Sequence, residues 1–539
     1  MRITSKIAAA LAAAALAAFP AAAAAHGSAD HGDHHRSSSH GHQGSWFHGR
    51  GHGSPSHGHG GGHTPPPSAE DPLSAGPLMA TIDQYGSSPD HYSGTPADWN
   101  EENTVAGEFR ADGLQVGSVA YHFPRFLPTN VALSTDSHDI SSAAIAPLLY
   151  SGTTGPHGLS APLAAAGNGT IPADAAGKIV VVSQADKGAL DPSITAAIAA
   201  GAKGLVYVTV GVGDLPRKED VNSRKGTGDF PVLLVGQHPG AEVLADAEAG
   251  ENADLTLQAQ LGTATDYDVW GELPGADNSR RVFVGTPVSS FVPSASERGG
   301  GVAIMLGLAK HYAEEPRSQR PETLVFLATS GHEVGFLGLE ALIEAKGSWF
   351  TDADAYVHMG ASLGAPTGVE NPDGSITVTP VPPAALGLHD SENPLLETSS
   401  IGAFAAAGQP LADTQMHLSG GGEQVYAYQA GVPEISVNGG SLWFHTAADL
   451  PNVVDPGILT RLAAGYEGSI DAILAQPAGA IKAANAAAVA DAEAQPGLAD
   501  SRAPVNPVFG AEGVGGPPPQ PAGPGPWSSS PWGSGGHGW

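Results

Sequence analysis

The amino-acid sequence predicts an α/β layer fold, in which helices and strands alternate along the chain. Two short apolar runs rich in Val and Phe, Val282 to Val284 and Thr323 to Ala328, have the composition of buried strands. Between them, the apolar residues of Gly301 to Tyr312 recur with helical periodicity after a Gly-rich turn. Strand-like and helix-like segments continue to alternate to about residue 477. Because open α/β sheets place their sites at the carboxyl ends of strands, we expect the chemistry near Glu333, just past the second run.

The composition excludes several classes of function. The chain has 539 residues, of which 41% are hydrophobic, enough for a large core and more than one domain. Its formal net charge is -31 and its pI is about 4.9, which argues against nucleic acid or an anionic membrane as a partner. Because the chain has no cysteine, it has no disulfide, no cysteine zinc site and no thiol nucleophile.

Residues 1–25 have the pattern of a secretory signal peptide. Arg2 and Lys6 precede an Ala/Leu run that extends to Phe19, and alanines fill the positions before His26. The run is too short and too rich in alanine for a permanent anchor, and we predict no stable membrane insertion elsewhere in the chain. We therefore expect an exported protein, located in the periplasm or outside the cell.

Two further segments have the composition of disordered chain. Residues 26–72 are mostly Gly, Ser, Pro and His, and residues 478–539 are Ala-rich and then Pro/Gly-rich. The first segment carries eleven of the 23 histidines, so it is either a solvated linker or an arm that binds metal ions. These histidines are His26, His31, His34, His35, His40, His42, His48, His52, His57, His59 and His63.

The stretch around Glu333 carries a series of short motifs. The first strand ends with Val284-Gly285-Thr286-Pro287, the loop Pro293 to Gly301 opens the helix, and the second strand ends with His332-Glu333-Val334-Gly335. Phe444-His445-Thr446-Ala447-Ala448-Asp449 follows further along the chain. These motifs resemble those of metallopeptidase family twenty-eight, the co-catalytic zinc aminopeptidases and carboxypeptidases. The resemblance implies an aminopeptidase-like three-layer sandwich with a mixed sheet.

The resemblance also divides the chain into domains. Residues 73–135 and 265–477 correspond to two segments of one peptidase-like domain, and residues 136–264 correspond to an insertion. The insertion resembles a protease-associated domain, which implies a β-rich domain without catalytic residues that shapes the substrate cleft. A rigid spacer is the alternative. The motifs that carry this second resemblance are Gly177-Lys178-Ile179, Ala200-Gly201-Ala202-Lys203-Gly204 and Phe230-Pro231-Val232.

The family resemblance assigns a metal site to particular positions. In the family, two zinc ions are held by five ligand positions and served by a general base. The ligand positions of this chain hold Pro287, Glu297, Glu333, His358 and His445, and the base position holds His332. Because Pro287 has no ligand atom, the two-zinc set is incomplete. One zinc ion held by Glu297, Glu333 and His445, with His358 available as a fourth ligand, matches the three-ligand pattern of catalytic zinc.

Each of these residues also has a purely structural interpretation. Glu297 and Arg298 can form an ion pair that shapes the loop. His358 can be a hydrogen-bonded interior histidine, and His332 can cap the turn that follows it. His445 can serve only to fix the start of the closing helix.

Three functions follow from these alternatives. The first is a metal-dependent hydrolase of peptide or small amide bonds, in which one metal ion polarises the carbonyl and activates water and His332 is the general base. The second is a non-catalytic protein that holds peptides in the cleft and on the inserted domain. Gly422-Glu423-Gln424 stands where many relatives carry Ser-Asp-His, a departure from ordinary aminopeptidase specificity. The third is exported metal binding by the His-rich arm. The sequence predicts no oligomeric state.

Overall fold

The structure is a computed structural model that describes the chain between residues 70 and 493 with several internal gaps. The predicted signal peptide, nearly all of the His-rich segment and the tail from residue 494 lie outside the described residues. The described ranges are 70–183, 189–209, 212–220, 226–371, 376–379, 387–390, 393–413 and 422–493.

The described part of the chain contains eleven α-helices. Helix α5 contains the helix predicted from the periodicity of Gly301 to Tyr312. No helix in these described ranges has both the length and the apolarity needed to cross a membrane. The helices are α1 (Ala75–Tyr85), α2 (Pro96–Ala111), α3 (Leu190–Ala199), α4 (Gln237–Ala249), α5 (Gly300–Glu314), α6 (Leu337–Ala345), α7 (Gly347–Asp352), α8 (Pro394–Ala406), α9 (Gln424–Gln429), α10 (Pro456–Leu474) and α11 (Ala480–Glu493).

The strands form one large mixed sheet and a separate two-stranded sheet. They are β1 (Gln115–Thr135), β2 (Asp139–Ile140), β3 (Ile145–Pro147), β4 (Leu159–Ala166), β5 (Ile179–Ser183), β6 (Gly204–Val208), β7 (Val232–Val235), β8 (Asn252–Leu273), β9 (Asp277–Pro287), β10 (Glu322–Thr329), β11 (Ala353–Met359), β12 (Thr367–Glu370), β13 (Ile376–Thr379), β14 (Gly387–Asp390), β15 (Ala412–Asp413) and β16 (Glu434–Asn438). The large sheet has the order β15-β14-β16-β11-β9-β10-β8-β4-β5-β6-β7-β3, with β1 paired to β8 and β2 to β1, and β12 pairs with β13. This architecture confirms the predicted α/β fold with a mixed sheet.

Side chains alternate between two helical layers along the central strands. Val282 and Val284 of β9 pack in the core shared with α1, α2, α5, α8 and α10, whereas Phe283 packs in the core shared with α6, α7 and α9. Leu324 and Phe326 of β10 face the first layer in the same way. Every residue of β10 is buried, as expected for a strand covered on both faces. The result is a three-layer sandwich.

A long antiparallel ribbon connects the predicted insertion, residues 136–264, to the sandwich. Strands β1 and β8 pair along nearly their whole lengths, from Gln115 with Glu272 to Thr135 with Ala253. One end of β8 pairs with β10 of the sandwich, and the other end pairs with β4. Strands β4, β5, β6 and β7 then run parallel to one another. The boundary predicted between residues 264 and 265 falls inside β8.

Four parallel strands end at the same edge of the sandwich. Strand β9 runs parallel to β10 on one side and to β11 on the other, and β11 runs parallel to β16. The segments that follow β9, β10 and β16 carry Glu297, Glu333 and His445, and β11 itself carries His358. Because carboxyl ends of parallel strands lie together, residues far apart in sequence meet at this edge.

Glycine at the start of α5 lets this helix lie against the neighbouring loop. A Cβ placed on Gly300 would lie 2.2 Å from the carbonyl oxygen of Leu363. We expect Gly300→Ala to lower the free energy of unfolding by about 2 kcal/mol or more, because the backbone oxygen cannot move away cheaply. Chemical denaturation measures this change. The matched control is Gly107→Ala in α2, where no atom lies within 4 Å and a gain of about 0.5–1 kcal/mol is expected. Equal stabilities for the two variants would contradict the prediction.

Candidate metal and catalytic site

Glu297 lies in a buried turn between β9 and α5. Ser294 begins the turn in the left-handed region, with φ 48°, and the Ser294 hydroxyl donates to Glu297 Oε2 at 2.9 Å. The carboxylate of Asp449 accepts the backbone N–H groups of Ser296 and Glu297 at 2.9 and 3.0 Å. Asp449 therefore holds the turn in place, and the Glu297 side chain is fully buried.

Glu333 lies in a short helical turn that follows β10. Gly331 and Gly335 flank this turn with φ values of 69° and 99°, a conformation that glycine adopts without strain. The turn leaves Glu333 buried at the carboxyl edge, with 8% of the residue exposed. Phe336, which begins α6, also has a positive φ, of 62°. Backbone strain of this kind is concentrated at functional sites.

His445 is held by the inserted segment. Its Nδ1 lies 2.9 Å from the carbonyl oxygen of Lys218, which can only accept, so Nδ1 carries a proton. The backbone N–H of Lys218 in turn donates to the His445 carbonyl at 2.9 Å, and the Lys218 ammonium donates to the Phe291 carbonyl at 2.7 Å. The residue adopts a φ of 60°, a strained value for histidine. A loop of the insertion thus sets the ring orientation and points Nε2 toward Glu297.

The three predicted ligands converge. One atom from each of Glu297, Glu333 and His445 lies within 4.8 Å of the others, and all three residues are buried. His445 Nε2 is 3.0 Å from Glu297 Oε1. Burial favours neutral forms, but the Glu297 charge outweighs it and raises the pKa of His445. Burial also opposes ionisation of Glu297, yet the charges of His445 and Arg298 hold its pKa at about 2. The pair is therefore ionised.

A buried arginine occupies the same cluster. Arg298 Nη2 donates to Glu333 Oε1 at 2.6 Å and lies 3.1 Å from Glu297 Oε1. Only 2% of Arg298 is exposed. Burial would lower its pKa, but the charges of Glu297 and Glu333 outweigh that effect and raise it. The guanidinium and the protonated His445 together balance two carboxylates.

The donor set has the chemistry for one metal ion, with two conditions. A histidine whose Nδ1 donates to a carbonyl presents Nε2 as a ligand once Nε2 loses its proton, and Glu297 Oε1 contacts only the cations His445 and Arg298, which an ion would replace. Zinc bonds to N and O are about 2.0–2.2 Å long, so an ion and the Arg298 guanidinium cannot both use Glu333 Oε1. The three side chains fit one ion once Arg298 withdraws and His445 Nε2 loses its proton.

His332 and His358 lie on the other side of the cluster, around Glu423. His332 Nδ1 is 3.3 Å from Glu423 Oε2, and His358 Nε2 is 3.7 Å from Glu423 Oε1. His358 Nδ1 is 2.7 Å from the Ser436 hydroxyl, so this ring is tied to β16. His358 is not part of the three-residue cluster, and its role as a fourth ligand stays a prediction. The Thr329 hydroxyl also donates to Glu423, at 2.5 Å.

Burial keeps His332 neutral. It lowers the pKa of His332 well below 6.5, and the positive charges of Arg298, His358 and His445 lower it further. Burial also raises the pKa of Glu423 to about 7, against opposing effects of Thr329 and Arg298. A neutral imidazole beside a carboxyl group that can hold a proton is chemically able to accept one.

An aromatic cavity adjoins Glu333. Its wall comes from the segment after α1, from β1 and from the inserted segment. The cavity has a volume of about 20 Å³, enough for about one water molecule next to the cluster. The residues that line it include Tyr92, Phe123, Phe126, Tyr150, Phe291 and Arg125.

Three functional contacts escape sequence reasoning. Arg298 was expected to pair with Glu297, but its shorter contact is with Glu333, 35 positions away. Glu423 was noted only as a departure from the family pattern, although that position was the available signal. Lys218 carried no signal at all, because its backbone carbonyl makes the contact with His445.

The sandwich and its buried carboxylate–histidine cluster define an aminopeptidase-like α/β protein. Residues 269–466 match the model of Peptidase family M28. This match confirms the resemblance to the family. No curated protein sequence matches the chain.

Solved structures with the same fold include several aminopeptidases. BSAP, a zinc aminopeptidase from Bacillus subtilis, is 21% identical with a TM-score of 0.61, over 74% of this chain and 95% of that one. A Peptidase M28 precursor from Shewanella amazonensis is 17% identical with a TM-score of 0.61, over 74% and 93%. The aminopeptidase from Aneurinibacillus sp. strain AM-1 is 16% identical with a TM-score of 0.55, over 74% and 93%. At these identities the likeness establishes the fold.

Proposed function

We propose that the protein is an exported metal-dependent hydrolase of peptide or small amide bonds that uses one metal ion. Glu297, Glu333 and His445 would hold the ion, and zinc suits a ligand set of one imidazole and two carboxylates. The observation that carries the proposal is the convergence of these three side chains to within 4.8 Å at the carboxyl edge of an aminopeptidase-like sheet. Export is proposed from the signal-peptide pattern of residues 1–25.

The residues around the cluster provide the other parts of a hydrolytic site. When bound, the ion would polarise the scissile carbonyl and lower the pKa of a water molecule. His332 is neutral at physiological pH and is available to accept a proton, while Glu423 orients its ring.

A comparison of metal contents tests this proposal. We expect the Glu333→Ala protein to hold about one zinc ion fewer per chain than the unmodified protein after dialysis, since a three-ligand site loses a ligand. Because both proteins retain the His-rich arm, the difference counts only the ion in the cluster. The control is Glu344→Ala, which removes an exposed carboxylate from α6. Equal zinc contents in all three proteins, measured by elemental analysis, would contradict a metal site at Glu333.

A non-catalytic peptide-binding protein is the second candidate. Arg298 favours it, because the guanidinium already supplies a cation to Glu297 and Glu333. In this alternative the carboxyl edge of the sheet and the loop at Lys218 would hold a peptide that is not cleaved. Binding of metal by the His-rich arm is a third proposal. Zinc uptake that depends on residues 26–63 and not on Glu333 would support it.

A further inference from the structure

A second group of buried carboxylates lies behind the turn that carries Glu333. Asp98 and Glu102 are one turn apart on α2, and Asp266 lies on β8. One oxygen of each residue lies within 4.8 Å of the others. All three residues are 0% exposed. The group shares no residue with the site described above.

The hydrogen-bond donors around this group are too few for its oxygens. Ser330 donates its hydroxyl toward Asp98 at 3.0 Å and also contacts Asp266. The Tyr121 hydroxyl donates to Asp266 at 3.1 Å, and the backbone N–H of Gly94 donates to Asp98 at 3.3 Å. These donors all reach Oδ2 of the two aspartates.

The other oxygens of the group have no hydrogen-bond partner among the residues that the structure describes. They are Oδ1 of Asp98, Oδ1 of Asp266 and both carboxylate oxygens of Glu102. Glu102 is therefore fully buried and points into the group, where it faces the Asp266 carboxyl group but receives no N–H or hydroxyl donor from the described residues. This lack of a donor, rather than the acidity of the group, points to a missing ligand.

Three buried carboxylates so close together need protons or a cation to neutralise their charge. Burial raises the pKa of Glu102, and the charges of Asp266 and Asp98 raise it further. The pKa of Asp98 is raised by burial first and then by Asp266. A buried, uncompensated carboxylate is strongly unfavourable, so the group must bind protons or a cation.

We propose that Asp98, Glu102 and Asp266 bind one divalent cation, and that this cation is calcium. Calcium takes six to eight oxygen ligands, and the group offers only oxygens: those of the three carboxylates and the hydroxyls of Ser330 and Tyr121. Magnesium usually keeps several of its water molecules, which a site with 0% exposed ligands does not favour. Zinc prefers nitrogen and sulfur ligands, and none of the three residues offers either.

A cation at this position would join parts of the fold that are distant in sequence. It would link α2 to β8. It would also contact Ser330, the residue that follows β10 and precedes the Glu333 turn. The ion would thus stabilise the support beneath the candidate active site. This inference does not depend on hydrolytic activity or on zinc at Glu333.

Calcium-dependent unfolding of the full chain tests the proposal. Protein dialysed against a calcium chelator is heated at pH 8 with and without added calcium. We expect about one tightly bound calcium ion per chain, and a melting temperature several degrees higher with calcium, because a ligand that binds only the folded state stabilises it. The His-rich arm does not interfere, since calcium prefers oxygen ligands.

Two isosteric variants make the test specific. Glu102→Gln should remove the calcium-dependent rise in melting temperature. Glu101→Gln should retain it, because Glu101 is also buried on α2 but accepts a hydrogen bond from Gln84 at 3.2 Å and lies outside the group. Glu333→Ala should also retain it, which separates this site from the proposed zinc site. Asp98→Asn replaces Glu102→Gln if the latter does not fold.

Two results would overturn the proposal. A wild-type melting temperature that does not respond to calcium would mean that the carboxylates are neutralised by protons. An equal response in Glu102→Gln and the wild type would place the bound calcium elsewhere on this acidic chain. In the chelated state we expect Glu102→Gln to melt at a higher temperature than the wild type, because it removes a buried charge and adds a donor.

Discussion

Replacing Arg298 with methionine is expected to increase the affinity for zinc about 100-fold. In the wild type, zinc must displace a guanidinium that lies 2.6 Å from Glu333 Oε1 and 3.1 Å from Glu297 Oε1. Breaking a buried ion pair is unfavourable by about 3–5 kcal/mol, and part of that energy no longer opposes zinc in the variant. Isothermal titration of dialysed protein with zinc measures the affinity directly.

The same substitution should make stability depend on metal. Without zinc, Arg298→Met leaves Glu297 and Glu333 with only the His445 charge, so the variant should be less stable than the wild type by about 3 kcal/mol. Added zinc should restore much of that stability. Arg298→Lys retains the positive charge and should stay close to the wild type in zinc affinity. Arg281→Met removes an arginine that instead stacks on Trp349, and should leave zinc binding unchanged.

The outcomes of this experiment distinguish the two candidate functions. Measurable zinc binding by the wild type, strengthened in Arg298→Met, supports a hydrolase whose arginine withdraws when the ion binds. Zinc binding only by Arg298→Met supports the non-catalytic protein, in which Arg298 has replaced the metal. Equal affinities in the two proteins would contradict competition between Arg298 and zinc for the cluster.

The sequence predicted those parts of the fold that depend on local pattern. The strand, helix and strand around residues 282–328 follow from apolar runs and helical periodicity, and the structure has β9, α5 and β10 there. Glu297, Glu333 and His445 were identified from motifs that each lie within a short stretch of chain. Parallel strands then bring the three together, because their carboxyl ends share one edge.

The remaining features depend on contacts between distant segments. Arg298 reaches Glu333 because two loops close over one edge, and nothing in the sequence around Arg298 specifies that partner. The long ribbon of β1 and β8 merges the insertion with the main sheet, so no linker composition marks its boundary. Asp98 and Glu102 are separated from Asp266 by more than 160 positions, and only α2 packing on β8 brings them together.

Replacing His332 with alanine is expected to lower kcat for peptide hydrolysis about 100-fold or more. A positioned general base contributes about 10²–10⁴ to the rate, and His332 is a neutral imidazole in the buried site. Because His332 is not one of the three ligands, zinc content and melting temperature should change little. Steady-state kinetics with a panel of aminoacyl amides and short peptides, together with zinc analysis, measures both effects. The control is His311→Ala on α5, whose ring pairs with Glu467 instead.

The pH dependence of the wild type provides an independent test of the same role. A base works only when unprotonated, and the pKa of His332 lies well below 6.5, so at saturating zinc the protonation of His332 should not lower the rate as the pH falls through 6.5. Glu423→Gln should preserve a polar partner for His332 Nδ1 while removing the group whose pKa is about 7. Any change in the dependence of kcat on pH near pH 7 should therefore disappear in Glu423→Gln. An unchanged kcat in His332→Ala would exclude His332 as the base and leave the water to be activated by other groups.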